Sequence, residues 1–289
     1  MDLTKKNRDI LIAEILKKAE LRAVSADQVA PLLEEVMDTQ TTKVLQSQEN
    51  PKHLLKSSAV RNLIKKVRAE LRTRYGMFKL NKGRKIDKLL DELQKVLKKK
   101  SLDSQESLDL HSLLLASHRS TAERLKDYDS IYKDIFTITG KPKSILDLGC
   151  GLNPMSYPFM DLKAPTYNAR EWAPGDVDIL TRYFDIVGLK GSVERADLLT
   201  AREFPKADVC FLFKLIDVLE NEKRGIARDL FASIDAKHLI ISFATKTLGG
   251  QEMRTKRKWF TDILDSKGWT YQTIETDNEI FYVVSIKKE

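Results

Sequence analysis

Two different spacings of apolar residues divide the chain. Before residue 140, apolar side chains recur every three or four positions, which predicts amphipathic helices. The clearest run is Val60, Leu63, Ile64, Val67 and Leu71. From Ser144 onward, short apolar runs alternate with helical segments. The pattern therefore predicts a helical region followed by an α/β region, and the polar stretch Ser101–Ser104 is the predicted boundary between domains 1–104 and 105–289.

The second region contains seven candidate strands. They are Ser144–Leu148, Thr166–Arg170, Val193–Ala196, Val209–Phe213, His238–Phe243, Thr270–Glu275 and Ile280–Ile286. Between the first six lie the candidate helices Met155–Met160, Val177–Val187, Ala201–Glu203, Glu222–Phe231 and Arg254–Lys267. Such alternation predicts a parallel sheet with helices on both faces.

The link between the last two strands refines this prediction. Only Thr276–Glu279 joins them, and so short a link allows a hairpin and excludes a parallel crossover. The predicted fold class is a Rossmann-like α/β domain with seven strands, the last antiparallel, preceded by an all-helical domain. Among dinucleotide-type folds this is the methyltransferase variant.

Charge is concentrated in one segment. The net charge is +8, yet residues 51–100 alone hold 17 Lys and Arg against 4 Asp and Glu. Such an excess favours a polyanion such as structured RNA as partner, although a lysine-rich helical surface typical of a heat-tolerant protein is the alternative. The candidate RNA-binding residues are Arg61, Lys65, Lys66, Arg68, Arg72, Arg74, Lys82, Arg84 and Lys85, with Arg254 and Arg257 further along.

Other bulk features predict a soluble, cytoplasmic protein, which we expect to be a monomer. No apolar run reaches the length of a membrane helix, and the first residues hold no apolar signal core. Cys150 and Cys210 are expected to be reduced thiols, and neither has the spacing of a metal ligand.

The candidate chemistry centres on Ser144-Ile-Leu-Asp-Leu-Gly-Cys-Gly-Leu-Asn-Pro154. A strand runs into the turn formed by Gly149, Cys150 and Gly151, and Asp147 lies just before it. These four residues, with Asn153, are the candidate cofactor contacts of this stretch. Glycines let the backbone approach a ligand that a Cβ would push away. Alone, this pattern is shared by proteins that bind NAD, FAD or S-adenosylmethionine.

Further features favour S-adenosylmethionine. Asn153-Pro154 stands where a third glycine would cradle a pyrophosphate. Glu171 ends the second strand, where an acid can hold ribose hydroxyls, and Asp197 follows the third strand, beside the expected adenine. A helix N-cap is the alternative role for Asp197.

One cation upstream has an unusual position. Ser120 and Glu123 form an S-x-x-E capping box, which predicts a helix start there. Arg124 then falls in the first turn, where a cation is unfavourable against the helix dipole. An anion near Arg124 would explain it; an exposed arginine without a role is the alternative.

Several stretches together resemble a known family. They are His118-Arg-Ser-Thr-Ala-Glu-Arg124, Asp147-Leu-Gly-Cys-Gly-Leu-Asn-Pro154, Phe213-Lys-Leu-Ile-Asp-Val-Leu-Glu220 and Ser242-Phe-Ala-Thr-Lys-Thr-Leu-Gly249, with a weaker match at Asn278-Glu-Ile-Phe-Tyr282. These residues resemble the aminoglycoside-resistance ribosomal RNA (guanine-N7) methyltransferases. The resemblance covers the C-terminal part well and the first hundred residues only in helical character and basicity.

The resemblance implies roles for individual residues. Arg124 would pair with the methionine carboxylate of the cofactor, and Gly149 and Gly151 would line its methionine and ribose. Glu171 would take the ribose, while Asp197 and Leu198 would border the adenine. Because the family usually has a compact Asp-Ile-Asp after the second strand, Asp176 or Asp178 is the alternative ribose ligand.

The implied reaction is methylation of guanine N7 in small-subunit ribosomal RNA, with transfer RNA as the alternative substrate. N7 carries a lone pair and no proton, so no general base is expected and alignment carries the catalysis. Lys214, Lys246 and Phe243 are the candidate substrate contacts. Both antibiotic self-protection and a housekeeping role stay open, and the rival functions are a non-catalytic RNA-binding or assembly protein and a small-molecule or protein methyltransferase.

Overall fold

The computed structural model of the chain describes residues 5–18, 21, 24–47, 51–71, 83–246 and 257–286. Backbone proximity divides the chain into two compact units. The N-terminal unit comprises Met1–Asn81 with Ala173–Gly175, and the sheet unit comprises Lys82–Trp172 with Asp176–Glu289.

The N-terminal unit is helical, as predicted. Its helices are α1 (Lys5–Leu16), α2 (Ala26–Val36), α3 (Thr39–Ser47), α4 (Pro51–Leu54) and α5 (Ser58–Leu71). The predicted apolar stripe of α5 is buried along its whole length, in a core shared with α1 and α2. The remaining faces of α5 are exposed, as the periodicity requires.

The sheet unit begins earlier than the predicted boundary at residue 104. Helix α6 (Gly83–Leu97) packs on α7 (Gln105–Leu115), and Ile86, Leu90 and Leu93 join the core beneath the sheet. The apolar stripe of α6 predicts a buried face, but spacing alone does not reveal which core receives it. The basic segment is thus divided: nine of its Lys and Arg residues precede position 82, and eight lie at position 82 or beyond it.

Within the described residues the sheet has seven strands. They are β1 (Ser144–Leu148), β2 (Thr166–Glu171), β3 (Gly191–Arg195), β4 (Ala207–Phe213), β5 (Ala236–Ala244), β6 (Thr270–Glu275) and β7 (Glu279–Ser285). Their order is β3-β2-β1-β4-β5-β7-β6. Strands β1 to β5 pair in parallel, and β7 lies antiparallel to both β5 and β6. The predicted fold class is confirmed.

Helices cover both faces of the sheet. The remaining elements are α8 (Arg119–Ala122), α9 (Tyr128–Thr139), a 3-10 helix (Asn153–Met160), α10 (Pro174–Val187), α11 (Ile216–Glu222), α12 (Ile226–Ser233) and α13 (Lys258–Ser266). Alternate residues of one strand enter different cores, as Phe211 and Leu212 of β4 do. This explains why the central strands β1, β4 and β5 are largely apolar in sequence, whereas β2 and β3 toward the edge are more polar.

Several predicted helices differ from the structure. No helix forms over Ala201–Glu203, and the segment predicted as Glu222–Phe231 is divided between α11 and α12. Gly225 separates these two helices with φ +84°, and the Glu220 carboxylate accepts hydrogen bonds from the N–H groups of Gly225 and Ala227, both at 2.8 Å. Glu220 therefore caps the start of α12, a role typical of an acid at a helix N-terminus.

The predicted capping box is wrong as well. His118, rather than Ser120, is the N-cap residue of α8, and α9 starts separately after Asp127. Arg124 consequently lies in the turn between two helices. The helix dipole therefore gives no reason to expect an anion beside it.

Membrane insertion finds no support in the part of the chain that the structure describes. No helix there has the length and apolar character needed to cross a bilayer.

One glycine should be indispensable to the edge of the sheet. Gly191 has φ +131°, and a Cβ added to it would lie 1.9 Å from the carbonyl oxygen of Tyr167 in the paired strand. Because backbone cannot yield as a flexible side chain can, Gly191→Ala should lower the free energy of unfolding by about 2–4 kcal/mol. Urea denaturation measures the loss.

Gly188→Ala is the matched control. Gly188 has φ +66° but open space where a Cβ would lie. Gly188→Ala should therefore lower the free energy of unfolding by about 1 kcal/mol, through backbone strain alone. Equal losses for the two variants would contradict the steric account.

Candidate functional site

The glycine turn lies at the carboxyl end of β1, as predicted. Gly149 and Gly151 have φ +60° and +51°, in the left-handed region that favours glycine. A Cβ on Gly149 would lie 2.6 Å from Cδ1 of Leu215, and one on Gly151 would lie 3.3 Å from Cε1 of His118. The turn is thus closely approached from two sides, by the start of α11 and by the segment that precedes α8.

Glu171 is joined to this turn. Its Oε2 accepts a hydrogen bond from the Gly151 N–H at 2.8 Å, and its Oε1 accepts one from the Trp172 N–H at 2.9 Å. A carboxylate at this strand end is a suitable acceptor for hydroxyl donors such as a ribose diol, and the ribose contact of Glu171 stays a prediction. Of the alternative acids, Asp176 is buried in the first turn of α10 and Asp178 is exposed.

Asp147 and Asn153 lie beneath the turn. The Asp147 carboxylate accepts hydrogen bonds from the Tyr167 hydroxyl at 2.6 Å and from Asn153 Nδ2 at 2.9 Å. Burial raises the pKa of Asp147 to about 7, although these two hydrogen bonds oppose the shift. Both side chains support the turn from within the core, and a direct contact with a cofactor stays a prediction.

The two cysteines are packing residues. Cys150 in the turn and Cys210 in β4 are both buried, and burial raises the pKa of each thiol well above its usual value. A protonated, enclosed thiol is a poor nucleophile. The expectation of reduced thiols agrees with this arrangement, because neither forms a disulfide.

Asp197 follows β3 and caps its own turn. Its Oδ1 accepts a hydrogen bond from the Leu199 N–H at 2.9 Å, and its main-chain oxygen accepts from Thr200 and Ala201. Leu198 is buried in the core. Because a turn and not a helix follows Asp197, the helix N-cap considered for it does not form, while an adenine contact stays a prediction for Asp197 and Leu198.

Arg124 has an anionic neighbour, as expected, although it does not lie in the first turn of a helix. That neighbour is Glu279, the first residue of β7: Nε and Nη2 of Arg124 donate to the two carboxylate oxygens, each at 2.9 Å. The guanidinium also lies 4.8 Å from the centre of the Phe213 ring. Both members of the ion pair are buried, with side chains 3% and 0% exposed. The predicted contact with a cofactor carboxylate must therefore use the donors that Glu279 leaves.

Lys214 turns inward rather than toward a substrate. Its Nζ donates to Glu123 at 2.6 Å and lies 3.2 Å from Glu279, and its side chain is only 10% exposed. The predicted direct contact of the Lys214 ammonium with RNA phosphates or guanine O6 is contradicted, because two carboxylates already hold it. Its backbone has φ +51°, an uncommon conformation for a residue with a side chain.

Phe243 is a core residue and cannot stack on a guanine. It is fully buried against Phe260 and Tyr282, and the Arg257 guanidinium lies 4.3 Å from its ring centre. The prediction for Phe243 is therefore wrong. Lys246 is exposed just beyond β5, and its substrate contact stays a prediction.

Arg257 binds two other parts of the sheet unit. Its Nη2 donates to Asp217 at 2.8 Å and to the Ala244 carbonyl at 3.1 Å, and the side chain is largely buried. These bonds join α11 to the end of β5. These bonds occupy part of the guanidinium, and a phosphate contact of Arg257 stays a prediction.

The N-terminal unit presents a basic pocket of about 490 Å³. It is lined by Glu14, Lys18, Leu55, Arg61, Ile64, Lys65 and Arg68. Arg61, Lys65 and the neighbouring Lys66 are exposed on α5. Arg68 is different, because its guanidinium donates to the carbonyls of Glu14 and Ile15 and so caps the end of α1.

The other predicted RNA contacts divide into two groups. Lys85 is exposed on α6 and stays a candidate. Arg72, Arg74, Lys82 and Arg254, with the side chain of Arg84, lie outside the described residues.

Glu279 is the site residue that the sequence analysis did not find. It lies 155 positions from Arg124, and the hairpin that carries it was assigned only a closing role. The available signal was an acid at the start of a strand that is otherwise apolar, because a carboxylate there is buried only when it is paired.

The raised pKa of Asp147 predicts a pH dependence of stability. Between its ordinary pKa of 3.8 and about 7, the folded state holds a proton that the unfolded state has released. Stability must then fall as the pH rises through this window, by up to about 1.4 kcal/mol per pH unit, and the loss is complete above it.

Asp147→Asn removes this titration. The free energy of unfolding of the variant, minus that of the unchanged protein, should therefore increase from pH 4 to pH 7, whatever the loss of the hydrogen bonds costs. Urea unfolding at several pH values measures the trend, and the exposed Asp178→Asn is the control. A difference that does not vary with pH would contradict the buried titration.

Comparison with known proteins identifies the family. A family model described as ribosomal RNA methyltransferase (FmrO) matches residues 53–283. A 16S rRNA (guanine(1405)-N(7))-methyltransferase of Micromonospora rosea is 31% identical over 180 residues, which are 59% of this chain and 64% of that protein. The protein of the same description from Proteus mirabilis is 26% identical over 239 residues, 78% of this chain and 84% of that one. The match thus spans less than two thirds of the length of the Micromonospora rosea relative.

Solved structures agree on the fold. The crystal structure of 16S rRNA methyltransferase RmtF in complex with S-adenosyl-L-homocysteine has a TM-score of 0.74, with 24% identity over 99% of this chain and 100% of that chain. The 16S rRNA methylase RmtB gives 0.67, with 21% identity over 99% and 100%. Since the family model covers the sheet unit from before α6 to β7, the chain belongs to the FmrO family of ribosomal RNA methyltransferases.

Proposed function

We propose that the chain transfers a methyl group from S-adenosylmethionine to N7 of a guanine in the 16S RNA of the small ribosomal subunit, in the cytoplasm. The observation that carries the proposal is the family match over residues 53–283, which includes the glycine turn, Glu171 and the Arg124–Glu279 pair. The relatives are described as acting on guanine 1405, which makes that nucleotide the first to test.

The residues at the carboxyl ends of β1 and β2 fit such a cofactor. Gly149 and Gly151 let the chain turn sharply at the end of β1, and the Glu171 carboxylate at the end of β2 is an acceptor suited to ribose hydroxyls. Arg124 has five N–H donors, of which two are used by Glu279. The remaining donors suit the methionine carboxylate. When bound, the cofactor supplies an electrophilic methyl group on sulfur.

The chemistry at N7 places modest demands on this chain. The nucleophile is a lone pair that carries no proton, so the protein need not accept one. What the residues must do is hold the acceptor in line with the methyl group and exclude water, which is catalysis by orientation. The inward, paired state of Lys214 and Glu123 agrees with this, because neither is placed as a free base.

Charge supports RNA as the substrate. Arg61, Lys65 and Lys66 are exposed in the N-terminal unit, and Lys85 is exposed in the sheet unit. Phosphate contacts of this kind give a steep dependence of affinity on salt. Double-stranded RNA is recognised mainly by shape and backbone, so we expect target selection to depend on the folded subunit RNA.

Transfer of labelled methyl tests the function. The protein is incubated with labelled S-adenosylmethionine and either small subunits, free 16S RNA or transfer RNA, and the labelled nucleotide is mapped. We expect label on N7 of one guanine of 16S RNA. Label on transfer RNA alone, or tight RNA binding without transfer, would contradict the proposal and favour the other substrate or a binding protein.

The ribose contact predicts a selective loss of cofactor affinity. Glu171→Ala should weaken S-adenosylhomocysteine binding by about tenfold or more, because hydrogen bonds to a carboxylate contribute about 1.5–3 kcal/mol. Asp178→Ala, an exposed acid on α10, should leave the affinity unchanged. Calorimetry compares the two, and the reverse ranking would identify Asp178 as the ribose ligand.

The basic face of α5 predicts a loss confined to RNA. The double variant Lys65→Ala with Lys66→Ala should raise the KM for RNA about tenfold. The dependence of RNA affinity on salt concentration should become less steep, by the equivalent of about one to two phosphate contacts. Affinity for S-adenosylhomocysteine should not change.

Lys163→Ala with Lys190→Ala is the matched control for charge. These exposed lysines precede β2 and β3, at the edge of the sheet opposite the glycine turn. An equal loss in both double variants would mean that net charge, and not the α5 face, governs RNA binding.

A further inference from the structure

Glu279 connects a buried group of charges at the carboxyl edge of the parallel strands. Its carboxylate accepts hydrogen bonds from Arg124 at 2.9 Å on each oxygen, and the Ser242 hydroxyl donates to Oε1. Lys214 Nζ lies 3.2 Å from Oε2. Lys214 is shared with Glu123, which also accepts a hydrogen bond from Arg119 at 3.1 Å, so three cations and two carboxylates are linked in one cluster.

Such a cluster holds its members in place. A buried ion is tolerated only where partners replace its hydration, and removing one partner leaves an uncompensated charge. Glu279 contacts both Arg124 and Lys214, and it has no solvent exposure. The positions of Arg124 and Lys214 therefore both depend on where its carboxylate lies.

The same carboxylate also bears on an uncommon backbone conformation. Lys214 directly follows β4 and has φ +51°. Its N–H donates to the carbonyl oxygen of Ser242 at 3.1 Å and to the Ser242 hydroxyl at 3.0 Å. That hydroxyl in turn donates to Glu279. Non-glycine residues in this region cost energy and persist only where surrounding contacts hold them.

We propose that Glu279 is a positioning residue that couples the two halves of the reaction site. Through Arg124 it orients the donors that receive the cofactor carboxylate. Through Lys214 and Ser242 it fixes the backbone after β4, at the same carboxyl edge of the sheet as the glycine turn that follows β1. This inference rests on the proposed function, and it assigns Glu279 no contact with either substrate.

Glu279→Asp tests the coupling with the charge retained. The shorter side chain cannot keep both bonds to Arg124 and still reach Lys214 and Ser242. We expect binding of S-adenosylhomocysteine to weaken about tenfold or more and kcat to fall with it. Arg124→Lys should add little to the loss of affinity in the Glu279→Asp background, since interacting residues are not additive.

Two further variants separate positioning from stability. Tyr183→Phe removes the buried hydrogen bond to His111 at 3.0 Å in the same unit. It should lower the Tm without changing affinity or kcat. Ser242→Ala leaves every charge in place and should lower kcat severalfold. It provides an independent test of the coupling if Glu279→Asp does not fold.

The outcomes are distinct. If folded Glu279→Asp keeps its affinity for S-adenosylhomocysteine and its kcat, the coupling is overturned, provided that the unchanged protein binds the ligand and transfers methyl. If Glu279→Asp does not fold, an unchanged kcat in Ser242→Ala has the same meaning. Additive losses with Arg124→Lys would also overturn it. Failure of the unchanged protein to bind S-adenosylhomocysteine would overturn the proposed function, and this inference with it.

Discussion

The bidentate pairing of Arg124 with Glu279 is the interaction on which the proposed site depends. Both side chains are buried, and neither charge would be tolerated there without the other. The pair joins the turn before α9 to the first residue of β7, and Lys214 extends it to the end of β4. Segments that are distant in sequence are thereby held at one edge of the sheet.

Topology explains how a carboxylate reaches that edge. The parallel strands β1, β2 and β4 end there, so the chain leaves the sheet at the same side each time. Because β7 runs antiparallel, it starts where its neighbour ends, and Glu279 pairs with Ala244 at the last position of β5. The reversed strand thus supplies a residue to the site as well as closing the sheet.

Much of the fold followed from local patterns in the sequence. The alternation of apolar runs with helical stripes predicted seven strands, and the four-residue link predicted the antiparallel hairpin. The assignment of α6 to the first domain failed, because an amphipathic stripe does not specify the core that buries it. The break at Gly225 was missed because the glycine conformation and the Glu220 cap act together across a turn.

The positions of site residues were predictable where the backbone topology determines them. They were not predictable where a long side chain pairs with a residue that is distant in sequence. The glycine turn and Glu171 lie together because the ends of adjacent parallel strands must meet. The inward turn of Lys214, the burial of Phe243 and the capping role of Arg68 depend on contacts between distant segments. Residue type alone made the same side chains look like RNA contacts.

A crystal structure of the chain with S-adenosylhomocysteine would test the central claim most directly. The account predicts the ligand carboxylate within hydrogen-bonding distance of Arg124, the ribose hydroxyls on Glu171, and both bonds between Arg124 and Glu279 intact. A ligand bound away from the glycine turn, or an Arg124 that leaves Glu279 to reach it, would contradict the account.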